Sequence, residues 1–300
     1  MKLNWTDNSN NESGFVIYHS TDNANFEYIK KASANAINVT IDNLETGITH
    51  YWKVYSQKGA LSSAAAEGSR ATSNGTRNGT YVIGSSNPRN YSRILDALTD
   101  IFLDGLAGSV ILELKSDYSS ALEWFPINIA NLGTSADRTI TIRPAADAAN
   151  LIITTSENTP TIELYSSKYI IIDGRPGGAG SSSELTIENT NPGGSPAIRF
   201  YNDAAYNQIK YCQLKADNLS TTGGVVHFTN TVIANYNYGQ TYNTIDNCDI
   251  NGNGKSANGI YSDGYSSPGY GNYYNTISNN KIRDFYISAS STNSTTWDIT

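Results

Sequence analysis

Cysteine is nearly absent from this 300-residue sequence: Cys212 and Cys248 are the only two, too few for a disulfide framework, and a chain of this length is held together by burial instead. Charged residues are scarce as well, at 16%, and no cluster of Lys and Arg appears. With 20 basic against 27 acidic residues, a net charge of −7 and a pI near 5.0, the composition argues against nucleic acid as a partner, because phosphate neutralisation needs grouped cations. No apolar run approaches the roughly 20 residues of a membrane-spanning helix, and Met1 is followed by Lys2-Leu3-Asn4-Trp5 rather than by a basic and then apolar signal segment. Long Leu- or Ala-rich stretches are missing too. What fills the sequence is Asn, Ser, Thr, Gly and Tyr, an all-β composition whose length suits either two domains or one elongated solenoid.

Residues 1–73 contain short alternating runs at Leu3-Asn4-Trp5, Phe15-Val16-Ile17-Tyr18, Phe26-Glu27-Tyr28-Ile29, Val39-Thr40-Ile41 and Tyr51-Trp52-Lys53-Val54-Tyr55, with Asn, Asp, Ser and Gly between them. These predict strands joined by turns. Leu3-Asn4-Trp5-Thr6-Asp7, Gly14-Phe15-Val16-Ile17 and the corner Leu44-x-x-Gly47-x-x-x-Tyr51 resemble the second strand, third strand and tyrosine corner of a fibronectin type III domain. The resemblance implies a β-sandwich whose first strand would precede Trp5, so truncation and an export signal upstream of Met1 are expected. Trp5, Trp52 and Tyr51 are read as core or near-core aromatics rather than sugar-stacking ones.

Asn74 to Thr80 is Gly- and Asn-rich and is expected to be a linker, 74–80. The span 81–138 then reads as an N-terminal cap. Ile94, Leu95, Ala97, Leu98, Ile101, Phe102 and Leu103 approximate an amphipathic helix stopped at Gly105, and Val110 to Leu114 reads as a strand. A helix followed by a strand is what should cover the open apolar end of a solenoid.

From residue 139 to 300 the sequence repeats. Tyr206-Asn207-x-Ile209-x-x-Cys212-x-Leu214 recurs as Tyr242-Asn243-x-Ile245-x-x-Cys248-x-Ile250 and as Tyr274-Asn275-x-Ile277-x-x-Asn280-x-Ile282, after 36 and then 32 residues, with the difference absorbed in loops. A second strand motif lies between the copies: Thr161-Ile162-Glu163-Leu164, Ala197-Ile198-Arg199-Phe200, Val225-Val226-His227-Phe228 and Gly259-Ile260-Tyr261-Ser262. Each coil therefore holds at least two short strands. The repeats resemble the PbH1-type coils of the pectin-lyase-like right-handed parallel β-helix, and Tyr81-Val82-Ile83-Gly84 followed by the helix is similar to the entry of that fold in large secreted bacterial (Bacteroidetes-like) surface proteins. The C-terminus is expected to be truncated, with Ser294 to Thr300 entering another coil.

Stacking of the repeats puts Ile209, Ile245 and Ile277 inward, Asn207, Asn243 and Asn275 in an asparagine ladder, and Tyr206, Tyr242 and Tyr274 in an aromatic row that serves packing. Cys212 and Cys248 take one repeat position on adjacent coils. A disulfide is open but not required, and two buried thiols are favoured over a metal pair, because no His or second Cys accompanies them at zinc-ligand spacing.

Alignment of the second motif puts Glu163, Arg199, His227 and Tyr261 at one outward position, with Tyr165, Tyr201, Thr229 and Asp263 two residues further on. Extended polysaccharides bind such stripes in the family that the repeats resemble, although a solvated sheet needs outward polar residues in any case. Related lyases use clustered acidic calcium ligands with an Arg or Lys, and related glycosidases use grouped Asp; the acids here are scattered, so calcium is expected only if the chain is a lyase. Asp246 and Asp249 beside Lys210 and Lys281 read as surface ion pairs. Asp173-Gly174 reads as a turn, and Arg175 to Gly180 as a loop between coils without the Lys-Ser/Thr ending of a phosphate loop. The expected function is a secreted or cell-surface, carbohydrate-binding, adhesive or structural module, a monomeric piece of a multidomain protein with a polysaccharide or surface glycan as partner. The alternative is a polysaccharide lyase or glycoside hydrolase whose active site spans Glu163, Arg199 and His227.

Overall fold

The computed structural model describes residues 1–42, 44–45, 47–72, 76–86, 90–229, 239–263, 271–285 and 297–298. They fall in two compact units, Met1–Gly75 and Thr76–Thr300.

The first unit is built from β1 (Lys2–Asn4), β2 (Gly14–Ser20), β3 (Glu27–Ala32), β4 (Asn38–Thr40), β5 (Thr49–Lys58), β6 (Leu61–Ser62) and β7 (Ala66–Ala71). All pairings are antiparallel: β1 with β4 in one sheet, and β3-β2-β5 with β6 and β7 on β5 in the other. Strand alternation sends Phe15, Ile17, Trp52 and Val54 into a core with Ile41, and Leu3, Trp5, Val39 and Leu44 pack against it. Trp52 is thus core, whereas Tyr51 lies on the other face of β5 and is only half-buried. Sequence alternation did not predict β7, whose residues are all exposed.

The corner before β5 is fastened by His50. Its Nε2 lies 2.8 Å from the Glu45 carbonyl oxygen, and its Nδ1 lies 2.7 Å from Nε2 of His19, whose ring stacks on His50 and leans on Trp52. A proton on His50 Nε2 is donated to the carbonyl, which leaves Nδ1 to accept from His19. Burial first, and the neighbouring His50, hold His19 below its ordinary value of 6.5. The folded unit therefore binds this proton less readily than the unfolded chain, so stability from the pair is complete above pH 6.5 and is lost as the pH falls through the lowered folded value. Melts followed by tryptophan fluorescence should show a lower transition for this unit at pH 5 than at pH 8, and His19→Phe should flatten the difference. Equal melts of the unsubstituted chain at the two pH values would contradict the role of the pair.

The second unit is a right-handed parallel β-solenoid of about six turns with little helix. It opens with β8 (Arg77–Ile83), α1 (Ile94–Asp104) and β9 (Leu106–Leu114). Five coils of three strands follow: β10 (Ile127–Ile129), β11 (Ile140–Pro144) and β12 (Leu151–Thr155); β13 (Ile162–Tyr165), β14 (Ile170–Asp173) and β15 (Leu185–Asn189); β16 (Ile198–Tyr201), β17 (Gln208–Lys210) and β18 (Cys212–Ala216); β19 (Val226–Thr229), β20 (Thr244–Asp246) and β21 (Asp249–Asn251); β22 (Ile260–Asp263), β23 (Thr276–Ser278) and β24 (Lys281–Arg283). The first, second and third strands of successive coils pair in parallel as sheets I, II and III, and β8 and β9 head sheet II. Parallel pairing therefore starts at Arg77. Arg77–Thr80 are strand rather than linker, and the stack begins well before residue 139; Asn74 and Gly75 lie outside the described residues. Of Ser294–Thr300 only Trp297–Asp298 are described; they form β25, antiparallel to β24, so these two residues do not continue the parallel stack.

Strict register makes the core. Leu112, Ile142, Ile172, Ile209, Ile245 and Ile277 follow one another in sheet II, fully buried from Leu112 to Ile245, while Ile277 on the last described rung is 45% exposed. Each fully buried side chain of this size contributes roughly 1.5–3 kcal/mol over an exposed one. In sheet I, Phe200 and Phe228 stack with ring centroids 4.4 Å apart. Cys212 and Cys248 are buried free thiols, as the repeat position implied. Burial, reinforced by Cys248, raises the Cys212 thiol well above its ordinary range and keeps it protonated.

The bend into sheet II carries both ladders. Asn243 Oδ1 accepts from the Asn207 backbone N–H at 3.1 Å and from Asn207 Nδ2 at 3.0 Å, and Asn275 Oδ1 does the same for Asn243 at 2.9 and 3.1 Å. Asn207 Nδ2 also donates to the Ser167 carbonyl and Asn243 Nδ2 to that of Ala204. Just before each Asn, Tyr206, Tyr242 and Tyr274 adopt positive φ (59°, 57° and 58°). A left-handed conformation costs about 1–2 kcal/mol for a residue with a Cβ. The rings offset part of that by stacking at 4.9 Å, and Tyr169 adds an earlier rung at 5.0 Å. At the next bend Gly174 is required, because a Cβ there would sit 1.8 Å from the Tyr211 carbonyl oxygen. The Arg175–Gly180 segment lies inside one coil, between β14 and β15, rather than between coils.

Candidate functional site

Sheet I is the face on which the sequence assembles its most varied side chains. β13, β16, β19 and β22 pair so that Glu163, Arg199, His227 and Tyr261 are register partners, and Tyr165, Tyr201, Thr229 and Asp263 form the parallel row two residues on. Alternation dictates this: Ile162, Ile198, Val226 and Ile260 and then Leu164, Phe200, Phe228 and Ser262 turn toward the axis, which leaves the intervening positions outside.

The charges on this face are paired along the stack. Glu163 forms an ion pair with Arg199 through both Nε and a terminal nitrogen, and the Arg199 guanidinium also lies 4.6 Å over the Tyr201 ring. Glu163, expected to face outward into solvent, is only 4% exposed, because Arg199 on one side and Asn128 of β10 on the other cover it, the Asn128 amide 3.4 Å from its second oxygen. His227 Nε2 lies 3.0 Å from Asp263 Oδ1, and its ring meets Tyr261 edge-on. Burial lowers the His227 pKa; Asp263 opposes this and Arg199 adds to it, so the net direction is down. A neutral imidazole then donates its Nε2 proton to the carboxylate. Tyr165 and Tyr201 pack as a tilted pair at 5.6 Å.

Three strand spacings separate the coil of Glu163 from that of Asp263, about 14 Å at roughly 4.8 Å each. Paired glycosidase carboxyls stand about 5–9.5 Å apart. Among the described residues no three His, Cys, Asp or Glu side chains converge as a metal ligand set would. Asp173, Asp246 and Asp249, on the other sheets, are equally committed. Asp173 is buried between Arg175 at 2.8 Å and Lys210 at 3.5 Å. Asp249 binds Arg283 through two nitrogens rather than Lys281, and Asp246 accepts from Asn247, Ser278 and Asn279.

One part of the site was not anticipated. α1 stands beside sheet I at its first strand and leaves a cleft of about 480 Å³ with Leu95, Leu98 and Phe102 on the helix side and Asn128, Glu163 and Tyr165 on the sheet side. Ile94, Ala97, Leu98 and Ile101 form the buried stripe of the helix, whereas Phe102, which the sequence grouped with them, is 68% exposed. The helix begins without a side-chain cap of its own. Glu123, 29 residues away, accepts the Ile94 N–H at 2.6 Å and approaches that of Leu95 at 3.3 Å.

In the tyrosine row the rings lie within 14° of parallel at the strand spacing, so both faces of Tyr206 and Tyr242 are covered by neighbouring rings, while Tyr274, the last in the row, is 73% exposed.

No protein-family model matches the chain, and no curated protein or solved structure is significantly similar to it.

Proposed function

We propose that the outer face of sheet I binds an extended glycan, and that the chain is a carbohydrate-binding, adhesive or structural module of a secreted or cell-surface protein. Two in-register rows, Arg199, His227 and Tyr261 beside Tyr165, Tyr201 and Asp263, carry the reading, since aromatic surface interleaved with hydrogen-bonding groups is what a sugar polymer needs. The pairing of each charge with a neighbour and the wide separation of Glu163 and Asp263 favour binding over chemistry. The resemblance of the N-terminal unit to a fibronectin type III domain, and of the coils to the pectin-lyase-like β-helix, supports the extracellular placement. Affinity gel electrophoresis of the full chain against neutral and acidic polysaccharides should show retardation by at least one of them. Tyr201→Ala should weaken it about tenfold, and Tyr201→Phe, which keeps the ring and its contacts with Tyr165 and Arg199, should weaken it less. Migration unchanged in every gel would contradict the proposal.

One observation favours a second reading, a polysaccharide lyase or glycoside hydrolase. His227, neutral, oriented by Asp263 and next to Arg199, has the makings of a general base. Mass spectrometry of the incubated polysaccharides separates the two: cleavage products that vanish in His227→Ala would replace binding with catalysis.

A further inference from the structure

The charge pairing on sheet I and the cleft beside α1 together restrict what the proposed glycan can be. Arg199, the cation of the row, is held by Glu163 through two nitrogens and by the Tyr201 ring. Burial keeps His227 neutral, and Asp263 leaves an exposed carboxylate. A carboxylated sugar would find no uncommitted cation among these groups and would meet Asp263. The row also has an end. β10 is the first strand of sheet I, and α1 stands beside it, so a chain lying across the strands runs into the helix. There it meets Leu95, Leu98 and the exposed Phe102 over the Asn128 amide and Tyr165, an apolar wall with a few polar groups, in a volume within the range of small-molecule sites, about 300–1,000 Å³.

We infer that this cleft is an end subsite for a neutral glycan whose terminal residue carries a small apolar substituent such as an acetyl group. The inference rests on the proposed glycan-binding reading of sheet I and adds to it the charge class, the substituent and the place where the chain stops. The substituent packs against Phe102 and Leu98 while the sugar ring hydrogen-bonds Asn128, and the following residues lie over Tyr165 and Tyr201.

Three tetrasaccharides titrated into the full chain by calorimetry test it: cellotetraose, fully N-acetylated chitotetraose, which has the same backbone with an acetamido group in place of each 2-hydroxyl, and tetragalacturonate. The acetylated probe should bind about tenfold tighter than cellotetraose, as expected for burial of a methyl and its surroundings, and tetragalacturonate more weakly than either. Phe102→Ser, at an exposed position where folding is not at stake, should abolish the difference between the two neutral probes. Glu163→Gln, which releases Arg199, should raise tetragalacturonate affinity about tenfold. Equal affinity for the two neutral probes in the unsubstituted chain overturns the end subsite and leaves the glycan-binding surface standing. Preference for tetragalacturonate overturns the charge argument. If none of the three binds, the surface reading fails and the subsite with it.

Discussion

Asn243→Ala should lower the unfolding free energy of the solenoid by about 2–4 kcal/mol. The side chain makes four hydrogen bonds in a buried bend: its oxygen accepts from the backbone and amide nitrogens of Asn207, and its nitrogen donates to the Ala204 carbonyl and to Asn275. Removing it leaves the Asn207 N–H unsatisfied in a site too enclosed for water to reach freely, at roughly 1–3 kcal/mol, while the Ala204 carbonyl keeps the Thr241 N–H at 3.2 Å and loses one of two donors. It also breaks the ladder in the middle, so rungs on both sides lose polarising neighbours. Asn243→Asp is a sharper control. It keeps the shape but cannot donate, and it should destabilise comparably by burying a charge. Chemical denaturation with circular dichroism measures both; a change under 1 kcal/mol in the alanine variant would show that the ladder is ornamental.

Glu123→Ala should cost about 2–4 kcal/mol and should loosen α1 before the coils. Among the described residues the carboxylate is the only side-chain cap of the helix, and it arrives from the segment between β9 and β10, so one residue both satisfies helix donors and fixes the helix to the stack. Burial raises its pKa above the ordinary 4.5 against the pull of those donors. The folded state thus holds the proton more tightly than the unfolded chain, and the contribution of this group to stability is full below pH 4.5 and declines as the pH rises through the raised folded value. Glu123→Gln keeps one acceptor and removes the titration, so it should cost less than Ala and erase that slope. Hydrogen exchange of the α1 amides reports it. Protection of Ile94–Asp104 unchanged in Glu123→Ala would refute the fastening role.

The repeats of this fold were legible because each rung is set by register. The Tyr-Asn-x-Ile repeat carries the buried Ile stack and the Asn ladder, and the second strand motif carries, through alternation, the order Glu163, Arg199, His227, Tyr261 on sheet I. Sheet III was hidden inside the same motif, because the chain bends at Tyr211, Asn247 and Asn279 through positive φ, which no hydrophobic pattern announces. β8 was hidden for the opposite reason: Arg77-Asn78-Gly79-Thr80 has no apolar residue, and it is strand only because β9 pairs with it. Tyr169 escaped as a rung because Ile170 rather than Asn follows it; there the ladder ends, with the Ile170 N–H donating to Asn207 Oδ1. The cleft depends on where α1 lies beside β10, and the burial of Glu163 on cover from Asn128 and Arg199 of the neighbouring coils, tertiary facts that helical periodicity and alternation do not contain.

The central claim, that sheet I is the binding face, is tested most directly by hydroxyl-radical footprinting with and without an oligosaccharide that binds. Tyr165, Tyr201, Tyr261 and His227 should be protected from oxidation, while Tyr206, Tyr242 and Tyr274, exposed at the bend into sheet II, should oxidise at unchanged rates. Protection of the tyrosine row or of the N-terminal unit, with sheet I unaffected, would contradict the account.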